Sequence, residues 1–181
     1  MTTTISSAFG KRIALTYLVV ATAWLAALAT GPYLLTHRAP GTVGFRAAEM
    51  VYVAGGLICH QQSARSFHAW NVQLPVCARC TGLYLAAPAG ALVGLVSFRR
   101  RRGVKPGHPE RWRWLLTLAA IPTAATVALE WAGISGISGP LRAVCSLPLG
   151  FAVSWLVAET LAGATRPGAG GHIGGTGTTA T

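Results

Sequence analysis

Besides His68, four residues in one short stretch have side chains that can bind metal or exchange disulfides. They are Cys59, His60, Cys77 and Cys80, within "ICHQQSARSFHAWNVQLPVCARCTG". Cys77 and Cys80 form a Cys-x-x-Cys pair just after Pro75, and 16 residues separate His60 from Cys77. Two thiols at that spacing with an upstream Cys-His make a soft sulfur/nitrogen donor set that suits zinc. Adjacent side chains often point apart, so Cys59 and His60 need not reach one ion together; His68, Glu130 and Cys145 are the alternatives for a remaining place. The same atoms permit another chemistry. On an oxidising membrane face, a Cys-x-x-Cys pair can cycle between dithiol and disulfide. Cys77 would then be the attacking thiolate and Cys59 an exchange partner. Backbone N–H groups at a helix start, with Arg79 and Arg65 nearby, favour thiolates in either case. The plain alternative is that the thiols are small hydrophobes at a helix end.

What positions these residues is an apolar scaffold. The chain has 181 residues, 52% hydrophobic and only 10% charged, and its mean hydropathy is +0.49. The apolar residues fall in long runs, which is the pattern of membrane helices. The first run, Ile13 to Leu35, follows Lys11 and Arg12 and is long enough for a helix of about 35 Å. Ala27-Leu28-Ala29 resembles a signal-peptide cleavage site, but the run exceeds the roughly 7–15 residues of a signal sequence. Further spans are expected at 80–98, 114–134 and 141–161, the third flanked by Trp112, Trp114 and Trp131 as interfacial anchors. Pro148 falls inside the fourth. Phe45 to Ile58 is too short to cross and reads as an amphipathic surface helix that delivers Cys59 and His60. From Thr165 the chain lacks periodicity and reads as a disordered tail. The expected fold is therefore all-α: an integral membrane bundle of four transmembrane helices, with a short surface helix before the Cys-His motif.

Charge orients the bundle. The chain carries 15 Lys and Arg against 4 Asp and Glu, a net +11. Much of the excess lies in the loop 99–113, in Arg99, Arg100, Arg101, Arg102, Lys105, Arg111 and Arg113. No nucleic-acid-binding module surrounds that block, so the expected partners are the lipid bilayer and its anionic headgroups rather than nucleic acid. A cytoplasmic basic loop puts both termini in the cytoplasm and the motif loop 36–79 outside. It also brings Glu130, Arg142 and Cys145 to the external end. Glu130 with Arg142 is the expected charge pair at membrane depth, whereas Glu159 lies near the inner end and can reach the cytoplasmic interface. The expected site joins metal ligands Cys59, His60, Cys77 and Cys80 to a polar pocket for an anionic or lipidic ligand. Gln61, Arg65, Arg79, Thr81, Arg142 and Cys145 line that pocket, and Cys77, Cys80 and Glu130 are its reactive candidates.

"CHQ", "RSF" and "QLPVCARCTGLY", at Cys59–Gln61, Arg65–Phe67 and Gln73–Tyr84, strongly resemble the signature of a family of small prokaryotic predicted membrane proteins classed as a domain of unknown function. The resemblance implies a membrane-embedded protein with this window at its functional centre, and it implies no activity. In the second half Glu130 stands where the family carries the Asp of an Asp-Gly pair, Arg142 and Gly150 fit, and the Gly following that Asp and an Asn are missing. In layout alone, a four-helix bundle with Cys-x-x-Cys at a helix mouth resembles quinone-linked disulfide oxidoreductases. That likeness makes a quinone the alternative cofactor to zinc.

Overall fold

Gly82, Ala86, Gly90 and Gly94 recur at every fourth position, and so do Ser146, Gly150, Ser154, Ala158 and Ala162. Four-residue spacing puts each set on one helix face, where small side chains let two backbones approach closely. In the computed structural model, which describes residues 2–100, 109–133 and 136–163, these two faces meet. The helices are α1 (Thr2–His37), α2 (Val43–Ile58), α3 (Ala78–Arg100), α4 (Pro109–Trp131) and α5 (Gly139–Gly163). The α3–α5 pair is the most extensive contact between elements. A Cβ at Gly90 would collide with the Phe151 carbonyl, and one at Gly150 with the Leu83 carbonyl.

Four helices are long and apolar enough to cross a membrane: Phe9–His37, Ala78–Ser97, Trp112–Trp131 and Gly139–Ala162. Their burial pattern inverts that of a soluble domain. Ala14, Ala86, Ala91, Ala158 and Ala162 are buried, whereas Leu15, Val19, Val20, Leu92, Leu118, Ile121 and Val153 are exposed. Lipid is as apolar as leucine, so large side chains can face it while small ones sit at helix contacts. The protein is thus an all-α bundle with four membrane-crossing helices, and α2 is the short helix before Cys59. The basic loop 101–108, Ile134 and the tail 164–181 lie outside the described residues. Pro32, Pro88, Pro122 and Pro148 each sit inside a continuous helix. At Pro148 the ring removes the bond to the Val144 carbonyl, yet α5 runs through it. α1 belongs to the bundle: Tyr17 Oη and Ser154 Oγ are 2.6 Å apart, and α1 packs on α2, α3, α5 and the hairpin described next.

The stretch between α2 and α3 is not a plain loop. A 3-10 turn (Ser63–Arg65) leads into an antiparallel hairpin of β1 (Ser66–Ala69) and β2 (Val72–Cys77). Trp70 and Asn71 make the two-residue turn with φ of 51° and 62°, the left-handed pair that matches the twist of a hairpin. Asn tolerates this conformation; Trp rarely adopts it. The Trp70 ring meets Tyr33 edge-on at 5.5 Å, and Tyr33 in turn stacks on His37 at 4.2 Å. The hairpin is therefore fastened to the C-terminal end of α1, at the end of the bundle where α3 begins.

Candidate metal centre

Cys59 caps the C-terminus of α2, its backbone N–H donating to the Gly55 carbonyl. Cys77 ends β2 immediately before α3, and Cys80 lies in the first turn of α3. Two separate features bring the segments together. Gly55 is buried, and a Cβ there would strike the Pro75 carbonyl, so α2 and β2 touch only because this residue is glycine. Gln61, held at φ 45°, donates its amide to the carbonyls of Tyr52 (2.7 Å) and Pro75 (2.8 Å). The Gln73 amide returns a bond to the Gln61 carbonyl at 2.6 Å, and the Tyr52 hydroxyl donates to the Gln73 carbonyl at 2.5 Å. Burial pushes the Tyr52 phenol up to about 12, which keeps it a donor. These bonds lock the Cys59-His60-Gln61 strap against β2.

The result is a trio of thiols. The sulfurs of Cys59, Cys77 and Cys80 all lie within 4.8 Å of one another, each half-buried. The Cys77 backbone N–H donates to Cys59 Sγ at 3.2 Å. Cys77 occupies the position before α3 that Ser or Asp takes in a capped helix. Its thiol is held down to about 5, first by the bond to the Cys80 thiol, then by the Cys80 and Arg79 backbone N–H groups and the Cys59 thiol, against burial that pushes it up. Backbone N–H groups aimed at a sulfur also orient it as a metal ligand.

Beside the thiols stands a cluster of charge. Glu130, near the end of α4, accepts bonds at Oε1 from Arg79 Nη2 and Arg142 Nε, both at 2.7 Å, and Arg65 Nη1 is 3.6 Å from Oε2. Its side chain is 9% exposed, against 16% for Arg79, 12% for Arg142 and 48% for Arg65. Arg79 also donates through Nε to Thr126 at 3.3 Å, and Thr123 donates to the Cys145 carbonyl at 2.9 Å. These polar bonds dock the site end of α4, a helix that is otherwise exposed along most of its length.

The expected residues divide accordingly. A cavity of about 220 Å³ is lined by Cys59, His60, Gln61, Arg65, Cys77, Arg79, Cys80 and Arg142, with Ile58 and Gln62. His60 is exposed on its wall and is not one of the converging ligand group. Thr81 turns back to the Cys77 carbonyl at 3.1 Å, and neither it nor Cys145 lines the cavity. His68 pairs with Ser63 at 3.2 Å, outside the thiol group. Arg79 is aimed at Glu130 rather than at the sulfurs, so the low Cys77 thiol owes its state to neighbouring thiols and backbone. Glu130 joins Arg79 and Arg65 as well as the expected Arg142.

Comparison with known proteins places the site within a recognised family. Residues 59–156 match the model of a family described as predicted membrane proteins (DUF2085). The match begins at Cys59 and takes in the three thiols and the four residues of the charge cluster. An uncharacterized protein of Methanocaldococcus jannaschii is 30% identical over 107 residues, which are 59% of this chain and 65% of that one. The chain thus spans less than two thirds of that relative's length. No solved structure matches.

Proposed function

We propose a metal-binding role for this chain, which belongs to the DUF2085 family of predicted membrane proteins, at the bundle end where its three thiols converge. The observation that carries the reading is the single clustering of Cys59, Cys77 and Cys80 from two helix ends and a hairpin. Three sulfur donors select a soft or borderline ion, and zinc fits them best. Zinc is four-coordinate, and sites with three protein ligands keep the fourth place for water or substrate. The trio borders the polar cavity, so that place would open onto it. Bound zinc would act there as a Lewis acid. The chain's own groups hold the thiols in place through Gln61 and Gln73 and keep Cys77 ionised. The basic loop 99–113 favours a cytoplasmic position and contact with anionic lipid, which would put both termini inside and the thiols at the external face. Elemental analysis of the purified chain tests the metal, and cysteine labelling of intact cells at a reporter in the loop tests the orientation.

One observation supports a second reading. Cys77 and Cys80 are close, and the Cys77 thiol is low, as in the attacking thiol of a disulfide oxidoreductase. In that chemistry a Cys77–Cys80 disulfide would accept two electrons from a partner dithiol. A quinone would restore it, taking two electrons and two protons to become the quinol. A crevice of about 450 Å³ between α1, α3 and α5, lined by Trp24 and Tyr84, gives such a ring an apolar approach. Thiols committed to a metal cannot cycle until the metal leaves, so resistance to mild oxidation before chelation separates the two readings.

A further inference from the structure

The charge beside the thiols does not balance. Three guanidinium groups, Arg65, Arg79 and Arg142, surround the single carboxylate of Glu130, which leaves two positive charges on the wall of a half-enclosed cavity. If the three thiolates held a divalent ion, they would carry one net negative charge between them, and the site as a whole would still be positive. Uncompensated charge at a membrane end is costly, and it persists where a ligand of opposite sign completes it.

The donors are also incompletely used. Among the described residues, Arg142 gives only Nε to Glu130, and Arg79 gives Nε to Thr126 and Nη2 to Glu130. The fully buried nitrogens without a partner are those of Trp24 and Trp155, not of either arginine. The remaining N–H groups of Arg79 and Arg142 therefore meet solvent, and both residues line the cavity. Arg65, half-exposed and only loosely paired, stands at the mouth and can follow a ligand inward.

We infer that this cavity binds a phosphate-class anion, held by the Arg65, Arg79 and Arg142 guanidiniums beside the thiol trio. Guanidinium forks match phosphate oxygens two at a time, and the net positive charge, one unit once the thiolates and a divalent ion are counted, favours an anion there. The volume, 220 Å³, lies below the roughly 300–1,000 Å³ of drug-sized sites, which favours a small anion or a headgroup over a large organic molecule. Glu130 preorganises Arg79 and Arg142 and discourages a second anion. The inference rests on reading this cavity as the functional centre, although its support is the arginines rather than the metal.

Calorimetric titration of the full chain in maltoside micelles tests it, with inorganic phosphate and a short-chain phosphatidic acid as probes. Saturable binding is expected, weakened about tenfold or more by Arg65→Gln, the loss of one charge-assisted hydrogen bond. Arg46→Gln, which removes the same charge from the exposed face of α2, should leave affinity unchanged. Tighter binding of the lipid assigns a headgroup, and equal binding assigns free phosphate; either supports the inference. Titrations run in parallel on chelator-treated protein separate the claims. Phosphate binding that survives metal removal keeps the anion site even if the metal reading fails. Metal-loaded protein that binds neither probe, or binding equally weakened by Arg46→Gln, overturns the anion site alone.

Discussion

The Cys77 backbone N–H donates to Cys59 Sγ across 3.2 Å, joining the end of a hairpin to the cap of a helix 18 residues earlier. That bond exists because Gly55 lets Pro75 approach and Gln61 bridges the two segments. Gln61→Ala removes both amide bonds and leaves a non-glycine residue at φ 45°. Each lost bond to a buried carbonyl costs about 1–3 kcal/mol. The expected outcome is a chain that still inserts but in which Cys59 reacts with maleimide separately from Cys77, read by mass mapping of partial labelling.

The low Cys77 thiol gives a pH signature. Its value falls from the ordinary 9.0 to about 5 in the folded chain. A depressed thiol stabilises the fold fully above the unfolded value and loses that contribution as pH falls from 9 through 5. In metal-free protein, iodoacetamide should modify Cys77 at a nearly constant rate from pH 8 down to about 6, and lose rate near 5. Unfolding the chain should return the fall-off to the ordinary thiol value of 9.0.

Glu130 has a structural job that two substitutions distinguish. Glu130→Gln leaves Arg79 and Arg142 buried without their carboxylate, a loss of the order of 3–5 kcal/mol. Arg65→Gln removes a half-exposed pairing at 3.6 Å and should cost about 1 kcal/mol or less. Thermal unfolding in micelles should rank them in that order. Equal midpoints would mean that the cluster does not hold α4.

The small-residue seam makes a packing prediction. Gly90→Ala drives a methyl into the Phe151 carbonyl and should destabilise by about 1–3 kcal/mol. Leu92→Ala, on the exposed face two residues away, should leave stability within about 0.5 kcal/mol of wild type.

Much of this architecture is legible in the sequence, and what is not has physical causes. The four membrane-crossing helices follow from run length, and α2 from its spacing. The seam could have been read from Gly82 to Gly94 and Ser146 to Ala162, whose four-residue spacing is as regular as any apolar run. The hairpin is hidden because its turn is Trp70-Asn71, with an aromatic residue where Gly or Asn is usual. Arg79 misleads for a geometric reason. It neighbours Cys80 in sequence, but consecutive helical residues point about 100° apart, so Cys80 faces the thiols while Arg79 reaches Thr126 and Glu130. Past the end of α2 the backbone at Cys59 is extended, where neighbouring side chains point to opposite sides, and this separates exposed His60 from Cys59. The convergence of three arginines on Glu130 depends on how the 3-10 turn, α3, α4 and α5 pack, which no local pattern encodes.

The measurement that bears most directly on the account is metal stoichiometry in the purified chain. Inductively coupled plasma analysis should find about one zinc per chain in wild type and in Cys145→Ser. Cys59→Ser, Cys77→Ser and Cys80→Ser should each fall well below half of that, since the loss of one ligand opens a three-sulfur site. Zinc retained equally by all four variants, or folded wild type with no bound metal and a reversible Cys77–Cys80 disulfide, would contradict the metal centre.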